Sequence, residues 1–211
     1  MKEYNTQIFS TSDLRAMKMA IDLLHSGELV AFPTDTVYGL AGDPFNPASL
    51  QTIYTVKQRP EEKAIPVLIG NTEQLAQITT DINPKIMALM EAFWPGPLSL
   101  VLPKHQDLPL LLTPYPGLAV RMPAHAFALN LLLKTGPLAV TSANLSAHNN
   151  AFSAADVYAQ LGGRIPLILD DGTKPGGQAS TVIDCMHDQP KLLREGPVPF
   201  QNILSEWNRN E

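Results

Sequence analysis

Hydrophobic residues recur at helical spacing along several segments of the chain. In the first segment Leu14, Met17 and Ile21 fall on one helical face, and Thr11 or Ser12 is predicted to cap its start. The same pattern predicts helices over residues 12–25, 47–56, 72–79, 83–93, 125–135, 157–161 and 199–207.

Short apolar runs bounded by Gly, Pro or polar residues predict strands. They cover residues 29–32, 65–69, 98–102, 118–122, 137–140, 166–169, 180–184 and 191–194. The run 65–69 is apolar throughout, which is typical of a strand buried on both faces. Because strands and helices do not alternate regularly, the pattern favours an α/β fold with a twisted mixed β-sheet flanked by helices. No repeat or composition break interrupts residues 1–211, so a single domain is expected, with its core at about residues 12–200.

Polar side chains follow several predicted strands directly. Thr34 comes after the strand 29–32, and Ser142 and Asn144 come after the strand 137–140. Because α/β folds usually bind ligands at strand ends, these side chains are candidate binding residues. Ordinary turns and helix N-caps use the same residue types, so a purely local role stays open. The run from Asp170 to Gly177 predicts a flexible loop.

Four basic residues are candidates for binding an anion. Lys57 follows Leu50 by seven residues and therefore continues the inward face of the helix 47–56. The alternative for Lys57 and Arg59 is favourable charge at a helix C-terminus. Arg121 lies inside an apolar strand, where it either faces water or holds a buried anion. Arg194 lies at the end of the last predicted strand.

The composition indicates a folded domain and excludes several classes of protein. Hydrophobic residues make up 45% of the chain and charged residues 17%, which excludes wholesale disorder. A formal net charge of −5 argues against a protein that coats nucleic acid non-specifically. No apolar run approaches the roughly 20 residues that span a bilayer, and the N-terminus has no apolar signal segment. The chain has a single cysteine and so no internal disulfide, and a cytoplasmic location is expected. Because no apolar run could span a bilayer, no membrane partner is expected.

Several common catalytic motifs are absent from the sequence. It contains neither a GxxxxGK[ST] nor a GxGxxG nucleotide-binding loop, and no GxSxG serine elbow. The histidines and Cys185 show no metal-ligand spacing, so no protein metal site is predicted. The basic residues and the strand-end hydroxyls and amides instead describe a pocket for a polyanion and a small polar substrate. Such a site works by positioning and charge stabilisation, as in phosphoryl and nucleotidyl transfer.

Seven motifs, taken in order, resemble a known family. They are FPTDTVYGL at 32–40, KQRPEEKAIPVLI at 57–69, WPGPLSLVL at 94–102, AVRMPAH at 119–125, TSAN at 141–144, STVID at 180–184 and LLREG at 192–196. Together they resemble the YrdC/TsaC family, the threonylcarbamoyl-AMP synthases. The resemblance runs from about the first helix to Gly196.

The resemblance implies a fold with a large, concave, basic cavity and a defined reaction. The family joins L-threonine, bicarbonate and ATP into L-threonylcarbamoyl-AMP and releases pyrophosphate, with Mg²⁺ as cofactor. This reaction is the first step in forming N6-threonylcarbamoyladenosine in tRNA. The implied partners are therefore a downstream threonylcarbamoyl-transferase complex and tRNA or double-stranded RNA. Longer members carry an additional C-terminal domain, and this chain resembles the short form.

The resemblance also assigns candidate site residues. The family's catalytic set matches Lys57, Arg59, Ser142 and Asn144. Its threonine site matches Thr34, Arg121, Val140 and Ser180. Its nucleotide site matches Lys57, Arg59, Ser142, Asn150 and Arg194. Arg121 is expected to meet the threonine carboxylate, because a planar guanidinium suits a carboxylate, while Lys57 and Arg59 are expected to face the triphosphate and the carbamate.

Two alternative functions remain open at this point. One is a non-catalytic RNA-binding module, against which the net charge of −5 and the lack of a dense Lys/Arg stripe weigh. The other is a paralogue that uses the same nucleotide pocket for another substrate. One segment departs from the family pattern, because Lys63-Ala64-Ile65 stands where many members have Asn-Pro-Leu, and Leu68 stands where they have a histidine. No threonine contact is therefore carried over to Leu68.

Overall fold

The computed structural model describes residues 2–172 and 177–209. Residues 173–176 of the predicted flexible loop lie outside the described residues. The described chain contains a 3₁₀ helix, Thr72–Gln77. Its α-helices are α1 Leu14–His25, α2 Pro47–Lys57, α3 Pro84–Phe93, α4 Ala126–Thr135, α5 Ala154–Leu161 and α6 Phe200–Trp207. Within the described ranges, none of these helices has both the length and the apolar character that crossing a membrane requires.

Ten strands of the described chain form a single mixed sheet. They are β1 Gln7–Ser10, β2 Val30–Phe32, β3 Gly39–Gly42, β4 Val67–Leu68, β5 Leu98–Pro103, β6 Gly117–Arg121, β7 Leu138–Ser142, β8 Leu167–Asp170, β9 Thr181–Asp184 and β10 Lys191–Arg194. Their order across the sheet is β1-β8-β2-β3-β7-β4-β6-β5-β9-β10. Both parallel and antiparallel neighbours occur, so the predicted mixed α/β fold is confirmed.

Helix starts follow from side-chain caps. The side chains of Asn46, Asn83 and Ser153 accept backbone N–H bonds in the first turns of α2, α3 and α5. Pro47 and Pro84 occupy the first helical positions of α2 and α3, where the missing N–H has no cost. These local signals explain why the predicted starts of α2 and α3 agree closely with the structure.

The first helix and the region after residue 72 differ from the prediction. The N-cap of α1 is Asp13, whose carboxylate accepts the Arg15 N–H at 2.8 Å, so the predicted caps Thr11 and Ser12 are wrong. The segment Thr72–Gln77 forms a 3₁₀ helix that Asn71 caps, in place of the longer helix predicted over 72–79. Short 3₁₀ segments carry the same hydrophobic spacing as one helical turn, so the pattern does not separate the two.

Two strands were not predicted. The strand β3, Gly39–Gly42, consists of small residues and Leu40 and has none of the β-branched residues that favour a strand. It forms because it pairs antiparallel with β2 on one side and β7 on the other. The edge strand β1 is mostly exposed, so it shows no continuous apolar run.

The predicted strand 65–69 is shorter in the structure. Only Val67 and Leu68 pair as β4. Pro66 has no N–H to donate to a ladder, and its carbonyl accepts the Val140 N–H at 2.8 Å instead. Ile65 and Ile69 are fully buried, as the apolar run predicts, but their N–H groups bond Leu112 and Arg121 outside the β4 ladder.

The helices cover the two faces of the sheet unequally. Buried residues of α2, α3, α5 and α6 pack with alternate strand residues in one core cluster. Buried residues of α1 and α4 pack in a second cluster with Val30, Phe32, Leu138, Leu167 and Leu169. This second cluster lies mainly over β2, β7 and β8, so part of the same sheet face is left for a cavity.

A buried lysine joins α2 to the segment that follows β7. Lys57 is the last residue of α2 and is 1% exposed. Its amine donates to the carbonyl oxygens of Ser142 and Asn144, and its own carbonyl accepts the Ser146 N–H at 2.8 Å. The segment 142–146 is therefore fixed at both ends by one residue of α2.

The pKa of Lys57 reflects this environment. Burial, together with the nearby positive charge of Arg59, lowers the pKa from 10.5 to about 7. In the unfolded chain the amine returns to its ordinary value. Between pH 7 and 10.5 the unfolded chain therefore binds more protons than the folded chain, and this group makes stability rise with pH.

We expect Lys57→Met to remove this pH dependence. Relative to the Met variant, the free energy of unfolding of the wild type should increase by about 2 kcal/mol between pH 7 and pH 9. Urea unfolding of both proteins at the two pH values measures the difference, and other titrating groups cancel in it. If the free energies of unfolding of the two proteins changed in parallel with pH, the lowered pKa of Lys57 would be contradicted.

Candidate active site

A cavity of about 500 Å³ lies on the same sheet face as α1 and α4, over the part that these helices leave uncovered. Side chains in a strand alternate between the two faces, so residues two apart share one face. The cavity wall shows this spacing in Pro66 and Leu68, Ala119 and Arg121, Val140 and Ser142, and Ser180 and Val182. The sequence predicted a site at strand ends, whereas much of the wall is formed by the face of neighbouring strands.

Most of the sequence-predicted residues line this cavity. They are Thr34, Arg59, Arg121, Val140, Ser142, Asn150, Ser180 and Arg194. Gly39 keeps the space beside Val140 open, because a Cβ on Gly39 would lie 2.7 Å from Val140 Cγ1. Lys57 and Asn144 do not line the cavity. The fold thus brings together residues from widely separated segments of the chain.

Arg121 is held by protein groups on several sides. It ends β6 and its side chain is almost fully buried. Its Nε donates to the Gly96 carbonyl at 2.9 Å and one terminal nitrogen donates to Thr36 Oγ1 at 2.8 Å. The other terminal nitrogen forms an ion pair with the carboxylate of Asp35. The guanidinium therefore has a fixed orientation at the cavity wall.

Arg194 approaches the same region from the last strand. Its Nε donates to the Ser180 carbonyl at 2.9 Å, and a terminal nitrogen donates to Ser180 Oγ at 3.0 Å. Ser180 Oγ is also 2.9 Å from Ser99 Oγ. A Cβ on Gly196 would lie 2.2 Å from the backbone nitrogen of Thr181, so the chain after β10 runs close against this segment.

Arg59 is held by the turn that follows α2. Gln58 ends the helix in the left-handed conformation, with φ of 52°. The next residue, Arg59, lies at the cavity wall. A terminal nitrogen of Arg59 donates to the Ala64 carbonyl at 2.8 Å, and Nε donates to the Lys63 carbonyl at 3.3 Å. Arg59 and Ala64 both line the cavity, so this turn forms part of its wall.

Lys57 and Asn144 support the wall from behind. The expectation that Lys57 faces the cavity is not met in this structure, since its amine is bonded to backbone carbonyls and buried. The side-chain amide of Asn144 donates to the carbonyls of His148 at 2.7 Å and Leu145 at 2.9 Å. Both residues fix the segment that carries Ser142, and their assignment as substrate-contacting residues stays a prediction.

The electrostatics of the cavity favour an anionic ligand. Burial lowers the pKa values of Arg59, Arg121 and Arg194. The nearby charge of Arg194 lowers the pKa of Arg121 further, while Asp35 raises it. Arginine stays protonated in proteins, so the cavity holds three poorly solvated cations. Asp35 forms the one ion pair that a cavity-lining arginine makes within the described residues.

The sequence did not predict several residues that contact and hold the site side chains. Ser99 lies inside the apolar strand β5, where a lone serine gives no signal. Asp35 and Thr36 belong to the motif at 32–40, but their local sequence is also typical of an ordinary turn. Tyr38 lines the cavity and its hydroxyl donates to Asp170 at 3.1 Å. Only the tertiary contacts show which groups these side chains hold.

The described residues enclose a second cavity but form no metal-binding cluster. Within residues 2–172 and 177–209, no group of three or more His, Cys, Asp or Glu side chains is placed to hold a metal ion. A larger cavity of about 730 Å³ lies between α3, the β9–β10 connection and Trp207. None of the predicted site residues lines it.

Comparison with known proteins gives the same family as the motifs. The family model Sua5_yciO_yrdC, described as telomere recombination, matches residues 22–196. A relative from Pyrococcus abyssi named threonylcarbamoyl-AMP synthase is 39% identical over 189 residues, which are 89% of this chain and 56% of the relative. A Bacillus subtilis protein of the same name is 39% identical over 201 residues, covering 94% of this chain and 58% of the relative. A Mycobacterium tuberculosis protein is 34% identical over 203 residues, covering 94% of both chains.

Solved structures share the fold. The P. abyssi Sua5 protein complexed with L-threonine has a TM-score of 0.87 at 38% identity and covers 91% of this chain and 57% of that chain. E. coli YciO has a TM-score of 0.82 at 22% identity, covering 97% of this chain and 100% of that one. The chain spans less than two thirds of the P. abyssi and B. subtilis relatives. On the family model and on these identities, the chain belongs to the Sua5/YciO/YrdC family.

Proposed function

We propose that this chain synthesises L-threonylcarbamoyl-AMP from L-threonine, bicarbonate and ATP and releases pyrophosphate. The observation that carries the proposal is the cavity with Arg59, Arg121 and Arg194 on its wall. All three substrates are anionic or carry a carboxylate, so they repel one another unless cations bring them together. The relatives named threonylcarbamoyl-AMP synthase and the Sua5 structure with L-threonine support the same reaction.

The amino acid is assigned to the part of the cavity around Arg121. Its guanidinium is oriented by Gly96, Thr36 and Asp35 and meets the threonine carboxylate. Thr34 and Ser180 line the same cavity and offer hydroxyls for the other polar atoms of threonine. The apolar wall at Val140 is suited to the threonine methyl group.

The nucleotide is assigned to Arg59, Ser142, Asn150 and Arg194. A carbamate oxygen of N-carboxylated threonine attacks the α-phosphorus of ATP, and the bond to the leaving pyrophosphate oxygen breaks. Arg59 and Arg194 stabilise the charge that develops on the phosphates, which is the main catalytic contribution expected in such a transfer. Lys57 and Asn144 keep the segment with Ser142 in place.

Mg²⁺ is proposed to enter with the nucleotide. Magnesium in such sites takes most of its ligands from phosphates and water and needs only one or two carboxylates. Next to the cavity wall, the Asp35 carboxylate is paired with Arg121, and the Asp170 carboxylate accepts from the Tyr38 hydroxyl. This donor set fits an ion carried by ATP, which supplies charge neutralisation at the leaving pyrophosphate when it is bound.

The biological setting belongs to the same proposal. The product is the first intermediate of N6-threonylcarbamoyladenosine formation in tRNA, so a downstream threonylcarbamoyl-transferase complex would consume it. A cytoplasmic location follows from that role.

We expect pyrophosphate release to require L-threonine, bicarbonate, ATP and Mg²⁺ together. Omitting any one of them should reduce release to background, and mass spectrometry should detect threonylcarbamoyl-AMP in the complete reaction. ATP consumption that ignores threonine or bicarbonate would point to a paralogue with another substrate. Salt-sensitive RNA binding without turnover would point to an RNA-binding module instead.

Arg121→Lys should weaken threonine use selectively. Lysine keeps the charge but loses the planar fork, so kcat/KM for threonine should fall on the order of 100-fold, roughly 3 kcal/mol. The KM for ATP should change little. Arg164→Lys is the matched control, because Arg164 donates to the Val56 carbonyl at 3.3 Å and does not line the cavity. Equal effects of the two substitutions would rule out the proposed threonine site.

A further inference from the structure

Asp35 lies beside the cavity without being one of its lining residues. It follows β2 in the motif at 32–40, and its carboxylate pairs with a terminal nitrogen of Arg121. The exposed fractions of the two side chains are 13% for Asp35 and 6% for Arg121. An ion pair at this depth is poorly screened by solvent, so its geometry matters more than that of a surface pair.

The contacts of Arg121 form a three-point support. Gly96, before β5, accepts from Nε at 2.9 Å, and Thr36, after β2, accepts from a terminal nitrogen at 2.8 Å. Thr36 Oγ1 is in turn 3.1 Å from Thr34 Oγ1, which donates to the Val37 carbonyl at 2.7 Å. Asp35 completes the support with the one charged partner in this set.

The remaining donors of Arg121 are available for a ligand. A guanidinium carries five N–H groups. Within the described residues, the bonds to Gly96, Thr36 and Asp35 engage three of them. The three protein bonds restrict rotation of the group. A guanidinium whose orientation is already fixed binds a carboxylate with little loss of side-chain entropy.

The charges around this group also favour an anionic ligand. Arg194 lies close enough to lower the pKa of Arg121, and its hydrogen bonds go to Ser180. Two guanidinium groups and the Asp35 carboxylate leave a net positive charge at this part of the wall, which favours an anionic substrate group.

We propose that Asp35 is a positioning residue for recognition of the substrate α-carboxylate, because it fixes the Arg121 guanidinium and balances one of two neighbouring positive charges. The inference rests on the proposed function of this cavity. The alternative is that Asp35 competes with the substrate. In that case the substrate carboxylate must displace the Asp35 carboxylate from Arg121. Removing a competitor would strengthen threonine binding, whereas removing a positioning residue weakens it.

The test compares Asp35→Asn with the wild type on two substrates, L-threonine and L-threoninamide. The amide lacks the carboxylate charge, so only threonine benefits from an oriented Arg121. In Asp35→Asn the KM for threonine should rise about tenfold while the KM for ATP stays within about twofold. The preference for threonine over threoninamide, measured as the ratio of kcat/KM values, should fall by a similar factor. A general loss of structure would lower kcat/KM for both substrates by the same factor and leave this ratio unchanged.

Asp13→Asn is the matched control. Asp13 also pairs with an arginine, Arg15, at 2.8 Å, but the pair is exposed and lies outside the cavity. This variant should leave both KM values and the substrate preference as in the wild type. If Asp35→Asn does not fold, Asp35→Glu keeps the charge but lengthens the side chain, and it should lower the same substrate preference.

The outcomes separate this inference from the proposed function. A wild type without threonine-dependent pyrophosphate release would overturn the proposed function. A wild type that is active and sensitive to Arg121→Lys, together with an unchanged or increased preference for threonine in the Asp35 variants, would overturn only the role of Asp35.

Discussion

The buried amine of Lys57 is the constraint on which the candidate site depends. It is a basic group with 1% exposure whose described partners are oxygens of Ser142 and Asn144 and no carboxylate. A buried donor left without acceptors would cost several kcal/mol, so the segment after β7 must keep its carbonyls turned toward α2. That segment carries Ser142 into the cavity. A residue from the opposite face of the sheet thereby shapes the wall of the site.

The fold places buried cations around the cavity, and these favour an anionic ligand. Arg59, Arg121 and Arg194 come from a helix end and two strands, and the sheet order β6-β5-β9-β10 brings the last two close together. Burial removes water from all three guanidinium groups, while Asp35 supplies one internal countercharge. The anionic substrates that we propose would complete the balance. The site combines fixed cations with the positioning that the proposed nucleotidyl transfer needs.

The sequence predicted the elements that have strong local signals. Asparagine caps and first-turn prolines set the starts of α2 and α3, and apolar runs marked β5 through β9. The helix α5 begins at Ala154, before the predicted start at residue 157. The motif resemblance gave the family and eight of the residues that line the cavity. Local signals failed where pairing alone makes the structure, as in β3, and where Pro66 interrupts an apolar run.

The sequence by itself thus determined the mixed α/β architecture, the family and most candidate residues, because periodicity, caps and motifs are local properties of the chain. The tertiary structure decided the direction of each polar side chain. It placed Lys57 on backbone carbonyls behind the wall, Arg121 against Asp35, and Ser99 against Ser180. These partners are separated by at least 80 residues along the chain. No local pattern contains such pairs, since the order of the strands in the sheet sets them.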